Sequence, residues 1–584
     1  MIVTPDYCRV MARYNAWQNA GLGRTVAAMS EDEVRRERGA FFGSILATVN
    51  HILWADRMWL ARLTGSEKPP GGIAGSVSLT PDATEWVAER VLTDRAITLW
   101  ADGLKDEDIA TDLVWLSGVT GREERRTAGL IVMHLFNHQT HHRGQVHAML
   151  TAAGMQPAPT DLFLLPAGRR FQMKDGSTMM DIEWVRGQFP AFAEPSLEGW
   201  AFFENAGGSY PCRAVVERLG RFYRERKVQP YAPYPASEAG GAEMDEARLR
   251  LAAMLGVATD ELSFGPSTTQ NTYVLAQAVR KWIKPGQAII VTNQDHEANS
   301  GPWRRLAEDG IEIREWRVDP GTGSLDPEDL RAMLARHDVA LVCFPQCSNV
   351  VAEINDVAAI TALAHAAGAR VCVDGVSYAP HGFPDVGALG CDAYVFSAYK
   401  TYGPHQGIMV IRRDWGFALP NQGHHFNGDT LYKRLTPAGP DHAQIAASAG
   451  MADYMEAFAA HHGGGRGAAA ARAAHDAMRN HEVAVLEPLL DFLAGRNDVR
   501  LIGPREARRR APTVAVDVAG RKGEDVARAL AAHKIMAGGG NFYAQRPLEA
   551  MGIDTEKGVL RMSFVHYTTQ AEVARLIAAL EAVL

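Results

Sequence analysis

The stretch CDAYVFSAYKTYGPHQG, residues 391–407, decides the fold of the longer part of this 584-residue chain. Its AYVFS run is short, β-branched and aromatic, and it is bounded by turn-forming residues, so it reads as a buried strand. Lys400 follows at once, with Ser397 and Tyr399 beside it and a Gly-containing turn behind. An apolar pocket lowers the pKa of a lysine and frees its amine to form a Schiff base with a carbonyl compound. Most lysines are solvated surface charges, and the position alone does not separate the two readings. Upstream, RVCVDG (370–375) ends a second strand on Asp374, and such strand ends open onto the binding crevice of an α/β sheet.

Two more clusters stand in the same order along the chain. GPSTTQNTYVLAQA (265–278) is a turn leading into a helix, whose free N–H groups and the hydroxyls of Thr268 and Thr269 would cradle a phosphate. TNQDHEANSGPW (292–303) follows a strand and offers His296 as an aromatic plate. Each has a plain structural reading, a capped helix start and a loop histidine. Taken together they match what pyridoxal phosphate requires: a lysine to hold its aldehyde carbon, a carboxylate to keep its ring nitrogen protonated, a phosphate cradle and a ring stack.

Around this centre the pattern is that of an α/β domain. Short runs such as AIIVTN, IEIREWRV, ALVCFP and GIMVI alternate with helical stretches, which predicts a largely parallel sheet. The last hundred or so residues read as a smaller α+β lobe. Toward the N-terminus, apolar residues recur every three to four positions over about 5–29, 43–64, 81–104 and 127–154, which predicts a four-helix bundle. Between its third and fourth helices, DLVWLSGVTGREERRTA (112–128) reads as a strand, a turn and a polar return, a candidate crossover lid. The expected organisation is a bundle at 1–165, a linker at 166–182 and a catalytic region at 183–584. That region divides into a large lobe at about 205–445 and a small lobe at about 446–584 that also takes in the N-terminal segment.

Composition is that of a folded soluble protein and not of a disordered chain. Hydrophobic residues make up 47% and charged residues 22% of the chain, whose formal charge is -8, so a nucleic-acid footprint is not expected. No run of eighteen apolar residues is present to span a membrane. The opening MIVTPDYCRV lacks the charged start and apolar stretch of an export signal. Six scattered cysteines without a CxxC pair argue against a disulfide framework, so a reducing cytoplasm is expected.

In HLFNHQTHHRGQVH (134–147), His134, His138 and His142 stand at i, i+4 steps on one helix face. A third ligand position is open to His51 of NHILWADRMWL (50–60) if the two helices pack face to face, and divalent-metal binding is the expectation. NHILWADRMW and HLFNHQTHHRGQ resemble the DinB/YfiT-like four-helix metalloproteins over about residues 5–165. That resemblance implies a metal triad of His51, His138 and His142, with His134 and His141 supporting or packing against it. Three imidazoles do not distinguish zinc, nickel or iron.

Residues 185–584 resemble the class V aminotransferase and cysteine desulfurase superfamily, with the pyridoxal-phosphate fold type I. NQDHEANSGPW, VDGVSYAPH, FSAYKTYGP and LRMSFVHYTT carry the likeness, and FFENAGGSYP and GNFYA are similar to a desulfurase-like subgroup. The resemblance implies that Lys400 is the Schiff-base lysine, that Asp374 pairs with the ring nitrogen and that His296 stacks on the ring. It places Thr268, Thr269 and Ser397 at the phosphate, Asn299 near the cofactor and Arg561 at the substrate carboxylate. Ser377 and Tyr399 stand where desulfurases hold a Gln and a His, so the cofactor contacts are altered. It further implies a homodimer.

One departure bears on the reaction. Desulfurases carry a nucleophilic cysteine in a loop before the carboxylate-binding arginine, and here AGGGNFYAQRP (537–547) puts Tyr543 in its place. No cysteine follows Cys391, which removes a persulfide relay by that loop. The expected reaction is therefore β-elimination from a sulfur-containing amino acid or thiol conjugate. The alternatives are transamination or desulfuration with another acceptor, and a bundle that serves only as a docking or regulatory module.

Overall fold

A computed structural model describes residues 3–118, 120–164, 180–462, 464, 465 and 467–584, and the chain divides into two compact units, residues 1–170 and 171–584. The linker expected at 166–182 lies, apart from its last three residues, outside the described residues.

In the first unit four long helices are found among the described residues: α1 (Pro5–Ala27), α2 (Ile45–Thr64), α3 (Ala83–Gly103) and α4 (Ala128–Ala152). Local chemistry sets their ends. Thr4, Ser44 and Asp82 accept hydrogen bonds from backbone N–H groups of the first turns, and Gly65 stops α2 in the left-handed conformation at φ 75°. Between α3 and α4, β1 (Asp112–Leu116) and β2 (Glu123–Thr127) form an antiparallel hairpin. Leu22, Val49, Leu53, Trp86 and Val146 fill one part of the bundle core. Beside this apolar packing runs a polar network. Arg90 is buried and ion-paired to Asp56 at 2.6 Å and to Asp94 at 2.8 Å, while Gln139 donates to Asp56 and Asn19 to Asp94. Buried charges persist only when paired and hydrogen-bonded in this way.

The second unit is built on a seven-stranded sheet. Its strands are β3 (Leu262–Gly265), β4 (Ala288–Thr292), β5 (Glu312–Trp316), β6 (Val339–Pro345), β7 (Arg370–Asp374), β8 (Ala393–Ser397) and β9 (Gly407–Ile411). In space they run β3-β9-β8-β7-β6-β4-β5, all pairs parallel except the two made by β9. Strands covered on both faces read as continuous apolar runs, and β4, β6 and β8 are buried along their whole length. A four-stranded antiparallel sheet forms the small lobe, in the order β10 (Val499–Leu501), β11 (Thr513–Val518), β13 (Val559–Ser563), β12 (Gly538–Gly540). The lobes do not part at residue 445: the large-lobe core takes in Ala443 to Met478, from α5 (His442–His461) into α6 (Gly467–Ala494), whose later residues enter the small-lobe core. Ala201 and Phe203, from the start of the unit, belong to that second core.

Candidate functional site

The parallel strands of the second unit deliver their C-terminal ends to a cavity of about 530 Å³. Asp374, the last residue of β7, and Lys400, in the helical turn after β8, are both buried and both line it. Burial and the nearby Arg561 guanidinium bring the Lys400 amine down to about 8, partly opposed by the Asp374 and Glu204 carboxylates. Burial pushes the Asp374 carboxyl up to about 6 against the N–H of Val376, which donates to it at 2.8 Å, and against Lys400. At neutral pH this leaves an ionised carboxylate facing an amine within reach of its neutral form.

Around this pair stand most of the residues singled out from the sequence. His296 caps a short helix, accepting the Ala298 N–H on Nδ1 at 3.0 Å, and burial holds its imidazole well below the usual range, at about 3, with Lys400 and Arg561 adding to the effect. It is therefore a neutral aromatic plate. Thr268 opens the helix Thr268–Trp282, and its hydroxyl is 2.8 Å from that of Ser397. Thr269, exposed, and Ser377 line the cavity too. Tyr399 lines it and stacks on His405, with ring centroids 4.6 Å apart. The helix start, a buried lysine and a buried acid form a cradle with the donors and charges that pyridoxal phosphate needs.

Two of the residues singled out from the sequence are held by contacts within the protein. Asn299 is buried beneath the cavity and does not line it: its amide donates to Asp295 at 2.9 Å and its carbonyl accepts from Trp303 at 3.3 Å. Arg561, on β13, is buried in the cavity wall, but its guanidinium is already engaged. One Nη donates to Glu204 at 2.5 Å, the other to the backbone carbonyl of Asn349 at 3.3 Å, and the Phe542 ring covers its face at 3.8 Å. Glu204, Asn349 and Phe542 were not found by sequence reasoning. Glu204 stands in FFENAGG, which carried only a family likeness, and nothing local marks it as the partner of an arginine so distant in the chain. Tyr543 lines the mouth, with its ring 5.5 Å from His296. All six cysteines are free and buried, and burial raises the thiols of Cys8, Cys212, Cys343, Cys347 and Cys391.

In the bundle, α2 and α4 bring His51, His138 and His142 together, with one ring nitrogen of each within 4.8 Å of the others. The hydrogen bonds fix the tautomers. Ser76 donates its one hydroxyl proton to the carbonyl of Ile73 at 2.6 Å, so at 2.8 Å from His51 Nδ1 it must accept, and Nδ1 carries the proton. The Gln145 amide oxygen accepts in the same way from His142 Nδ1 at 2.8 Å. Both Nε2 atoms thus present a lone pair, and that of His51 lies at hydrogen-bond distance, 3.2 Å, from His138 Nε2. Tetrahedral zinc with metal–nitrogen bonds of about 2.0–2.1 Å separates two nitrogens by roughly 3.4 Å, so the His51–His138 pair is spaced for a first-row divalent ion, with a His142 nitrogen within 4.8 Å of both. Burial keeps the imidazoles of His51 and His138 neutral, at about 4 and about 3. His134 stands outside the group, its ring 5.1 Å from that of Trp59, and His141 packs on His142. The triad opens on a cavity of about 1190 Å³ walled by Trp54, Trp59 and, from the hairpin, Trp115.

Comparison with known proteins follows the same division. Residues 201–576 match the family model of aminotransferase class V, and residues 1–173 match that of the DinB family. The chain is 34% identical to the aminotransferase-like protein FGM3 of Gibberella zeae, over 70% of this chain and 100% of that one. It is 30% identical to a cysteine desulfurase of Pectobacterium atrosepticum, over 68% of this chain and 97% of the relative. Among solved structures, the apo cysteine desulfurase from Thermococcus onnurineus NA1 aligns with a TM-score of 0.60 at 23% identity, covering 70% of this chain and 99% of that one. The cysteine desulfurase CsdA (S-sulfonic acid) from Escherichia coli aligns with a TM-score of 0.59 at 24% identity, over 70% and 99%. A helical bundle that matches the DinB family is therefore joined to a chain that belongs to the class-V aminotransferases, pyridoxal-phosphate-dependent enzymes with the fold of the cysteine desulfurases.

Proposed function

We propose that the second unit catalyses β-elimination from a sulfur-bearing amino acid, and that the bundle holds a divalent metal ion on His51, His138 and His142. The observation that carries the first part is the pairing of an intact Lys400–Asp374 centre with Tyr543 at the mouth and no exposed thiol among the cysteines. Persulfide transfer needs an accessible thiolate, and these buried thiols do not supply one; Cys347, which lines the cavity, is pushed up by burial to about 12.

When bound, pyridoxal phosphate supplies an electron sink for the pair left at Cα when a proton departs. Asp374, ionised at neutral pH, would keep the proton on the ring nitrogen, His296 would offer its ring as a plate, and Thr268, Thr269 and Ser397 would hold the phosphate. Lys400, with its amine near pH 8, takes the Cα proton. In the net reaction the Cα–H, Cβ–S and Cα–N bonds break, water supplies the keto oxygen, and R–S–CH2–CH(NH3+)–CO2− with that water gives the thiol RSH, pyruvate and ammonium. No oxidant or reductant enters. The metal triad has room for a further ligand facing its cavity, which suits either a catalytic or a structural ion.

The test is the product formed from L-cysteine and from an S-substituted cysteine sulfoxide. Pyruvate with ammonia is expected. Alanine would mean desulfuration and would overturn elimination, and a keto acid that keeps the sulfur would mean transamination.

A further inference from the structure

The wall of the catalytic cavity around Arg561 holds three buried polar atoms without a partner: Arg561 Nε, Glu204 Oε2 and the side-chain oxygen of Asn349. Buried polar groups are almost always satisfied, and a cluster of unsatisfied ones beside a reaction centre marks where a ligand completes the hydrogen bonds. Here the complement asks for one acceptor, to take Arg561 Nε–H, and for donors to two oxygens. A carboxylate accepts only, so it satisfies the first and leaves the other two unmet.

Charge points the same way. Glu204 already neutralises Arg561, whose side chain is 4% exposed. An added α-carboxylate would leave the cluster one negative charge in excess in a site where unpaired charge is strongly disfavoured. The Glu204 carboxylate is seated in a close-fitting place. A Cβ on Gly538 would fall 2.6 Å from Oε2, and one on Gly207 would fall 2.9 Å from Oε1, so both glycines leave the room it occupies. Phe542, at φ 53° and followed by Tyr543 at φ 55°, is held in the left-handed region while Asn349 Nδ2 donates to its carbonyl at 2.9 Å. Two consecutive residues there cost conformational energy, which fits a constraint imposed by the site.

We propose that Glu204 and Asn349 make this site select amino acids whose side chain carries a cation of ammonium or guanidinium type. The substrate's carboxylate takes Arg561 Nε, its side-chain cation donates to Glu204 Oε2 and Asn349 Oδ1, and the four charges balance. The inference rests on the reading of this cavity as the amino-acid site, and it names the class of substituent that the substrate's sulfur bears.

The experiment compares S-(2-aminoethyl)-L-cysteine with S-propyl-L-cysteine on the holoenzyme, by pyruvate release and by titration of the cofactor's visible absorbance. A preference of about tenfold or more for the aminoethyl compound is expected in both readouts, as hydrogen bonds to a charged partner give. E204Q keeps the side chain's shape and removes its charge, and it should bring the ratio to within about twofold. An unchanged ratio in E204Q, with cofactor content and melting midpoint as in the parent, would overturn the proposal. So would a parent enzyme that treats the two compounds alike. If neither compound yields pyruvate, the elimination reading falls by itself, and absorbance titration with L-lysine against L-norleucine decides the selectivity. Tighter binding of lysine that E204Q abolishes sustains the proposal, and equal binding or no response to lysine overturns it.

Discussion

The two units solve the same physical problem, burying titratable groups beside a cavity, in opposite ways. In the bundle three chemically identical donors converge, all neutral, on an open space with aromatic walls. In the catalytic unit the groups alternate in sign, with Asp374 near Lys400 and Arg561 paired with Glu204, around a cavity of less than half that volume. Convergent neutral donors are suited to a cation and leave its reaction open, because several divalent ions and many ligands suit them. Alternating charges specify more: which group gives up a proton, which keeps one, and what charge a partner must bring. The reaction is therefore much easier to read from the second unit than from the first.

The sharpest way to break this comparison is to remove the one group the second site cannot replace. Lys400→Ala should lower turnover by about 10⁴-fold or more, since the lysine is proposed both as cofactor anchor and as proton acceptor. The visible absorbance of the lysine-bound cofactor should vanish while metal content stays as in the parent, and absorbance with metal analysis on one sample checks both. An unchanged spectrum would show that another residue anchors the cofactor.

Next in size is the buried network of the bundle. Asp56 is fully buried and held by Arg90 and Gln139. Arg90→Met removes the cation paired to both Asp56 and Asp94 without opening a large hole, and it should destabilise the bundle by about 3–5 kcal/mol through the acids left without it. Denaturant unfolding followed by far-ultraviolet dichroism, with cofactor absorbance read alongside, should show a transition of the helical unit that comes earlier while the cofactor signal holds. Loss of both signals together would mean that the units are not energetically separate.

Sequence reading went furthest where the determinants are local. The four bundle helices begin and end within about two residues of their periodic pattern, because Thr4, Ser44, Asp82 and Gly65 carry the capping chemistry on the spot. Asp374 and Lys400 were legible because a strand end fixes where a side chain emerges. What escaped depends on distance or on rotation. Glu204 meets Arg561 only because the start of the unit lies along β13, where Glu204 bridges to Ser563. Asn299 lies three residues beyond His296, and those steps along a helix were enough to turn its side chain inward onto Asp295 and Trp303. The lobe boundary was hidden in the Ala-rich start of α6, whose small residues pack in the large-lobe core and gave no sign of which side they belonged to.

The smallest effect tests whether the bundle centre is as finely set as the catalytic one. Ser76 meets the histidine group by a hydrogen bond to His51 Nδ1, 2.8 Å away, while its proton is committed to Ile73. Its role is to hold the His51 ring in the tautomer that turns the Nε2 lone pair toward His138. Ser76→Ala removes that acceptor, so His51 can carry its proton on either nitrogen and rotate. Metal affinity should fall by about 10- to 100-fold, the usual effect of losing a group that orients a ligand, with the fold kept because the side chain is small and buried. Competition against a chelator of known affinity measures it. Ser76→Thr keeps the hydroxyl and should recover most of the loss, which a mere packing defect would not do; equal affinity in parent and alanine variant would show that the triad needs no such guidance and that the bundle is the looser of the two designs.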